Sequence, residues 1–224
     1  MSAPPFVRVD FSSLSAAIVD LDGTMVDTLG DFDAALNAML AELSLGHVDR
    51  GFIEHTVGKG SEHLIRQTLA HVQADAANFD AAWARYQHHY LQINGDHAQV
   101  YPGVVEGLQR LRERGLKLAC LTNKPTVFAQ SLLRKKGLAG FFDHVFGGDA
   151  FERKKPDPLP LLKTCEALGA PPARTLMLGD SSNDAQAARA AGCPVVLVSY
   201  GYNHGEPVSG VDSDGVIGRL DALP

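Results

Sequence analysis

Two aspartates stand two residues apart at the end of an apolar run. The run Ala16–Val19 predicts a buried strand, and Asp20 and Asp22 follow it directly. Because side chains alternate along an extended chain, residues i and i+2 point the same way. Both carboxylates should therefore project from the carboxyl edge of a sheet, where open α/β sheets place their ligand crevices. Two like charges this close are unfavourable unless a cation or a proton intervenes, so the pair indicates a nucleophile beside a group that passes protons.

Three further polar clusters occur where predicted strands end. Thr122 and Asn123 end one apolar run, Asp180 and Asp184 follow another, and Lys155 precedes a proline between them. Each cluster alone has an ordinary explanation, such as a helix cap or a solvated lysine. Their occurrence together, alongside the first pair, favours the functional interpretation of each.

Short apolar runs alternate with helical patterns along most of the chain. This alternation is typical of βαβ units and predicts a parallel sheet flanked by helices. The predicted strands are Ala16–Asp20, Lys117–Thr122, His144–Phe146, Thr175–Gly179 and Val195–Val198, with a short edge strand at Gly215–Ile217. The predicted helices between them are Val104–Arg114, Thr126–Lys136, Pro158–Leu168 and Asn183–Ala191.

The segment 29–98 differs because its patterns are helical and no convincing strand interrupts them. The helical patterns cover Asp31–Leu43, Ser61–Val72 and Asp80–Ile93. A helical insertion directly after the first strand predicts a cap domain of residues 29–98. The core domain would then consist of residues 1–28 and 99–224.

Composition narrows the function classes. The 224 residues are 45% hydrophobic, enough for a substantial core, and their formal net charge of −6 argues against nucleic-acid binding as the main function. The N-terminus lacks the apolar core of a signal peptide, and no apolar run is long enough to span a bilayer. The three cysteines form no CxxC pair, which argues against a zinc site or a disulfide framework. We therefore expect a cytoplasmic protein with a small-molecule partner, either monomer or homodimer.

The four clusters, in this order, resemble the motifs of the haloacid dehalogenase superfamily. They extend from Asp20 to Asp184, which is most of the chain, and the helical insertion is similar to the C1-type cap of that superfamily. The resemblance implies a Rossmann-like parallel sheet with an inserted all-helical cap. It also implies Mg²⁺-dependent hydrolysis of a small phosphorylated metabolite through an aspartyl phosphate.

The resemblance implies roles for the first and last motifs. Asp20 would attack phosphorus as a nucleophile. Asp22 would protonate the leaving alkoxide and later deprotonate water. Asp180 would hold Mg²⁺ together with Asp20 and the backbone carbonyl of Asp22, because Mg²⁺ prefers oxygen ligands. Gly23 and Thr24 would support this loop.

The remaining motif residues would act on the phosphoryl group. Lys155 would supply a fixed positive charge near the nucleophile. Thr122 and the Asn123 amide would bind phosphoryl oxygens as their charge shifts in the transition state. Asp184 would orient a metal-bound water or Lys155, although direct coordination of the metal stays open.

Two segments bear on the substrate. In His55–Gly60, Lys59 stands between two glycines just before a predicted helix, where the backbone can approach an anion. This segment and Tyr200–Glu206 resemble bacterial phosphoglycolate phosphatases. The resemblance implies 2-phosphoglycolate as substrate, with Lys59 and, more weakly, Arg66 as contacts of its carboxylate. Lys59 could equally be a solvated loop lysine, and the tyrosines near 200 are expected to pack the sheet edge.

Other functions remain open at this stage. Within the same fold, the enzyme could be another small-molecule phosphatase, a pyrophosphatase or a β-phosphoglucomutase-like transferase. A receiver-type signalling module also uses a phosphorylated aspartate, a lysine and a threonine on a parallel sheet. Such a module needs neither a helical cap nor a second acid two residues after the first.

Overall fold

The computed structural model describes residues 7–224, so the first six residues of the predicted core domain lie outside the described part. The strands are β1 (Ala16–Val19), β2 (Val26–Asp27), β3 (Gln99–Val100), β4 (Lys117–Leu121), β5 (His144–Phe146), β6 (Thr175–Gly179), β7 (Val195–Val198) and β8 (Val216–Ile217). The α-helices are α1 (Leu29–Glu42), α2 (Arg50–Thr56), α3 (Ser61–His71), α4 (Phe79–Ile93), α5 (Val104–Glu113), α6 (Thr126–Lys135), α7 (Leu159–Leu168) and α8 (Ser182–Ala191). Within residues 7–224, no helix combines the length and apolar character that crossing a membrane requires.

Six strands form one parallel sheet in the order β5-β4-β1-β6-β7-β8. Strand β1 is buried along its whole length: Ala17 and Val19 pack into the cluster on one face, and Ala16 and Ile18 into the cluster on the other. Helices α5 and α6 contribute to the first cluster, and α7 and α8 to the second. The predicted α/β class is therefore confirmed, and a strand covered on both faces explains its uninterrupted apolar sequence.

Helices α1 to α4 have a hydrophobic cluster of their own, in which α1 packs against α4. Helix α2 is absent from the sequence-based prediction because seven residues are too few to show helical periodicity. Its start is fixed locally, since the Asp49 carboxylate accepts a hydrogen bond of 2.8 Å from the backbone N–H of Phe52. Phe128 and Tyr202, from outside the four helices, also join this cluster and connect it to the sheet.

Two short paired strands connect the main sheet to the helical segment, one before the segment and one after it. Strands β2 and β3 pair antiparallel, with Val26 opposite Val100, and their two-residue length explains why the sequence did not predict them. On α1, the fully buried Asp31 accepts hydrogen bonds from the backbone N–H groups of Gly95 (2.6 Å) and His97 (2.8 Å). One carboxylate therefore holds the first helix against the returning segment.

We expect Asp31→Ala to lower the free energy of unfolding by about 2–4 kcal/mol, because it removes the acceptor of two backbone N–H groups next to a packed interface. Urea denaturation followed by circular dichroism measures the change. Asp80→Ala, at an exposed position in the first turn of α4, is the matched control. It should change stability by less than about 1 kcal/mol. Equal losses in the two variants would contradict the role of Asp31.

Candidate active site

The carboxyl ends of β1, β4 and β6 meet at a cavity between the sheet and helices α1 to α4. Most residues predicted to carry chemistry line this cavity, namely Asp20, Asp22, Thr122, Asn123, Lys155, Asp180 and Asp184. The shared edge follows from the parallel pairing of β1 with β4 and β6. The opposite wall includes Phe32, Gly58, Gly60 and Ser61, which come from the helical segment.

Lys155 lies at the centre of the acidic cluster. Its Nζ atom is 3.0 Å from Asp20 Oδ1 and 2.6 Å from Asp184 Oδ1, and it donates a third contact to the carbonyl of Leu121 at 3.0 Å. Only 2% of its side chain is exposed. Burial alone would lower the pKa of Lys155, but the carboxylates of Asp184 and Asp20 raise it above its usual range. The ammonium therefore stays charged beside Asp20.

Asp184 is held by the start of helix α8. Its Oδ2 accepts hydrogen bonds from the Ser181 backbone N–H and hydroxyl and from the Asp180 N–H, while its Oδ1 accepts the bond from Lys155. A Cβ atom at Gly179 would lie 2.3 Å from Asp184 Cγ, so only glycine fits there. With both oxygens engaged, Asp184 is placed to orient Lys155.

Asp180 is held by backbone that approaches it very closely. Its Oδ1 accepts a hydrogen bond from the Thr24 hydroxyl (2.9 Å), and its Oδ2 accepts one from the Tyr202 N–H (2.8 Å). A Cβ at Gly23 would lie 2.4 Å from this carboxylate, and one at Gly201 would lie 2.1 Å from Asp180 Cβ. Gly23 also has a φ of +83°, which favours glycine.

The acidic cluster suits a hard divalent cation. Asp20, Asp180 and Asp184 each offer an oxygen within 4.8 Å of the others. Burial raises the pKa of Asp20 well above its usual range, and burial together with Asp184 raises the pKa of Asp180 to about 7. Among the described residues, no donor makes a well-aligned hydrogen bond to Asp20 Oδ1, although Lys155 lies within ion-pair distance. Lys155 cannot offset the cluster alone, and Mg²⁺ is a cation that carboxylate oxygens commonly hold.

The side chain of Asp22 contacts residues outside this acidic cluster. Its Oδ1 accepts a hydrogen bond from the Thr28 hydroxyl at 2.8 Å and lies 3.0 Å from the Nζ atom of Lys124. Sequence reasoning missed Lys124, although it directly follows the predicted pair Thr122 and Asn123. The signal was adjacency along the chain, but only the fold brings its ammonium to Asp22.

Residues 17–198 match the family model described as haloacid dehalogenase-like hydrolase. The chain belongs to this family. It is 43% identical over 210 residues to the phosphoglycolate phosphatase of Thiobacillus denitrificans and 42% identical over 210 residues to that of Nitrosospira multiformis, with 92% of both chains covered in each case. A crystal structure of a predicted phosphoglycolate phosphatase from Haemophilus somnus matches with a TM-score of 0.88 at 29% identity, covering 93% of this chain and 96% of that one.

The predicted family, the parallel-sheet fold and the hydrolase class are thereby confirmed. In this hydrolase, the Asn123 side chain is engaged by the protein: it donates to the carbonyls of Gly58 (2.9 Å) and Lys155 (2.8 Å) and accepts from the Lys155 N–H. It therefore joins the helical segment to the loop that carries Lys155. Thr122 also lines the cavity, and its Oγ1 accepts a hydrogen bond of 3.2 Å from the Lys124 N–H.

Lys59 does not line the cavity of the hydrolase. It is exposed, while its neighbours Gly58 and Gly60 form part of the wall. Burial and the nearby Lys59 both lower the pKa of His204, so the lysine lies close to the cavity rim. Arg66 does not line the cavity either, and it pairs with Glu62 on the exposed side of α3.

Tyr202 packs into the helical segment and not against the sheet edge. It is buried in the cluster of helices α1 to α4, and its hydroxyl donates to Asp27 Oδ1 (2.9 Å) while accepting from the Thr28 N–H (2.7 Å). Its backbone N–H also bonds to Asp180. Tyr200 behaves as expected from the sequence, because its ring packs on that of Tyr101 at 4.3 Å. The tyrosine prediction is thus wrong for Tyr202, whose role depends on contacts with distant residues.

Mg²⁺ should raise the melting temperature of the wild-type protein, because only the folded chain gathers the carboxylates that bind it. The increase should be much smaller in Asp180→Asn. In a chelator, the same variant should be at least as stable as wild type, because it relieves repulsion among buried carboxylates. Asp96→Asn, at an exposed carboxylate, is the control and should respond to Mg²⁺ like wild type. Thermal scans with and without Mg²⁺ measure these changes, and an equal Mg²⁺ response in all three proteins would count against the site.

The stability of the metal-free protein should depend on pH through Asp180. Its folded-state pKa of about 7 lies above the unfolded value of about 3.9, so the folded chain binds the extra proton between these values. Wild-type stability relative to Asp180→Asn should therefore fall as pH rises from about 4 to 7, by at most about 1.4 kcal/mol per pH unit, and then level off. Urea titrations in chelator at several pH values test this, and a difference that does not vary with pH would contradict it.

Proposed function

We propose that this hydrolase is a Mg²⁺-dependent phosphatase that converts 2-phosphoglycolate to glycolate and phosphate. The observation that carries the proposal is the juxtaposition of Asp20 with a buried lysine, and of Asp22 with its own donors, at one cavity. The substrate follows from the relatives, which are phosphoglycolate phosphatases at up to 43% identity along most of the chain.

The first step transfers the phosphoryl group to the protein. A carboxylate oxygen of Asp20 attacks phosphorus, the ester P–O bond breaks, and Asp22 gives its proton to the departing alkoxide oxygen. Lys155 holds positive charge beside the nucleophile, and the hydroxyl of Thr122 faces the phosphoryl oxygens. The product of this step is an aspartyl phosphate and free glycolate.

The second step releases phosphate. Asp22, now ionised, takes a proton from water, whose oxygen attacks phosphorus and breaks the bond to Asp20. Asp20, Asp180 and the backbone carbonyl of Asp22 would hold Mg²⁺. When bound, the ion would offset the repulsion between an anionic nucleophile and an anionic substrate.

We further propose residues 29–98 as a cap domain over a core of residues 1–28 and 99–224, because the helical segment covers the cavity.

A substrate panel tests the proposed specificity. With Mg²⁺ present, kcat/KM for phosphate release from 2-phosphoglycolate should exceed that from sugar phosphates and pyrophosphate by at least about tenfold. A higher value for a sugar phosphate would replace the assignment with another small-molecule phosphatase. Isomerisation of a sugar phosphate without net phosphate release would instead indicate a β-phosphoglucomutase-like enzyme.

Asp20→Asn should lower kcat by at least about 10³-fold, because the amide oxygen is a poor nucleophile toward phosphorus. Phosphate release from 2-phosphoglycolate measures the loss, and Asp96→Asn is the control that should retain turnover. After acid quench, mass spectrometry of wild type should find a phosphoryl group on the peptide containing Asp20. Residual turnover close to wild type in Asp20→Asn would remove the nucleophile from the proposal. A phosphorylated Asp20 that persists for minutes in wild type would favour the receiver-type function.

A further inference from the structure

Lys124 is a buried cation at the cavity that takes no part in the steps above. Only 2% of its side chain is exposed. Its Nζ atom lies 3.0 Å from Asp22 Oδ1, 3.3 Å from Asp22 Oδ2 and 2.5 Å from the hydroxyl of Tyr90. Burying an ammonium is unfavourable unless charges and hydrogen bonds compensate for lost water, so these contacts explain how it is tolerated.

The helical segment supplies the aromatic contacts of this ammonium. The rings of Phe32 on α1 and Tyr90 on α4 lie 4.5 Å and 4.6 Å from Nζ, within the range of cation–π attraction. Asp22, on the other side, comes from the loop after β1. Lys124 thus joins the acid that follows the sheet to two helices of the cap segment, and its position depends on both.

The contacts to Asp22 distinguish its two oxygens. Oδ1 receives the hydroxyl of Thr28 at 2.8 Å and the ammonium at 3.0 Å, whereas Oδ2 is 3.3 Å from the same ammonium. A lysine ammonium can only donate. Two donors therefore fix Oδ1 in place, and Oδ2, with one longer contact to the ammonium, is the less constrained oxygen.

We propose that Lys124 is a positioning residue that holds Asp22 with Oδ2 toward the leaving group, and that Tyr90 makes this orientation depend on the helical segment. The inference rests on the proposed function, because it assumes that Asp22 protonates an alkoxide. Lys124 acts through Asp22 in the first transfer and makes no contact with the reacting phosphorus.

The test compares leaving groups that do and do not need a proton. With enzyme in excess, a single turnover reports the first transfer alone, as glycolate from 2-phosphoglycolate or as nitrophenolate from p-nitrophenyl phosphate. Lys124→Met should slow glycolate release by about 10²-fold, within the usual contribution of general acid catalysis. It should slow nitrophenolate release by less than about tenfold, because this stable anion departs without a proton.

A double-mutant cycle separates positioning from a direct role. In the Asp22→Asn background, adding Lys124→Met should slow glycolate release by less than about threefold, because the group that Lys124 orients has already lost its function. Lys163→Met is the matched control, an exposed lysine on α7 that pairs with Glu166, and it should leave both rates unchanged. If Lys124→Met does not fold, Tyr90→Phe serves as the second variant, since it removes only the hydroxyl and should slow glycolate release more than nitrophenolate release.

Each outcome of these measurements either supports or overturns one of the two proposals. Equal losses with both leaving groups, or a full additional loss in the Asp22→Asn background, would overturn the proposal and make Lys124 a contact of the phosphoryl group or of the fold. A wild-type protein that releases phosphate from neither substrate would instead refute the proposed function. Selective loss with the alkyl substrate, confined to proteins that retain Asp22, supports the inference.

Discussion

The site depends on compensation of buried negative charge. Asp20, Asp180 and Asp184 lie close together with little access to water, and Lys155 is the cation in direct contact with two of them. Burial and repulsion from neighbouring carboxylates raise the pKa values of Asp20 and Asp180. The same repulsion would be relieved by a bound divalent ion, which is the ion that the proposed chemistry requires.

Close backbone approach is what makes this cluster possible. A Cβ atom at Gly179 would lie less than 3 Å from Asp184, and one at Gly201 would lie less than 3 Å from Asp180. Glycine at these two positions therefore leaves the space that the aspartates occupy. The acids consequently sit against the main chain and take hydrogen bonds from its N–H groups, as Asp180 does from Tyr202. These hydrogen bonds from the main chain hold the carboxylate oxygens in fixed positions, as a cation site requires.

The helical segment is connected to the site through several polar contacts in addition to its apolar cluster. The Asn123 amide reaches the Gly58 carbonyl, and the hydroxyl of Tyr202 bonds to both Asp27 and Thr28 at the exit from the sheet. The first contact links a cavity residue to the helical segment, and the second links Tyr202 to the residues that lead into that segment. Movement of the helices relative to the sheet would therefore alter the surroundings of the acids.

The sequence by itself determined the fold class and the shared edge of the predicted acids, because parallel strands end on one side of their sheet. Tertiary structure alone decided which partner each acid receives. The contact between Lys124 and Asp22 joins positions 102 residues apart, and Lys59 turned outward although its loop lies beside the cavity. Local patterns specify strands and helices, whereas the direction of a long side chain depends on packing between distant segments.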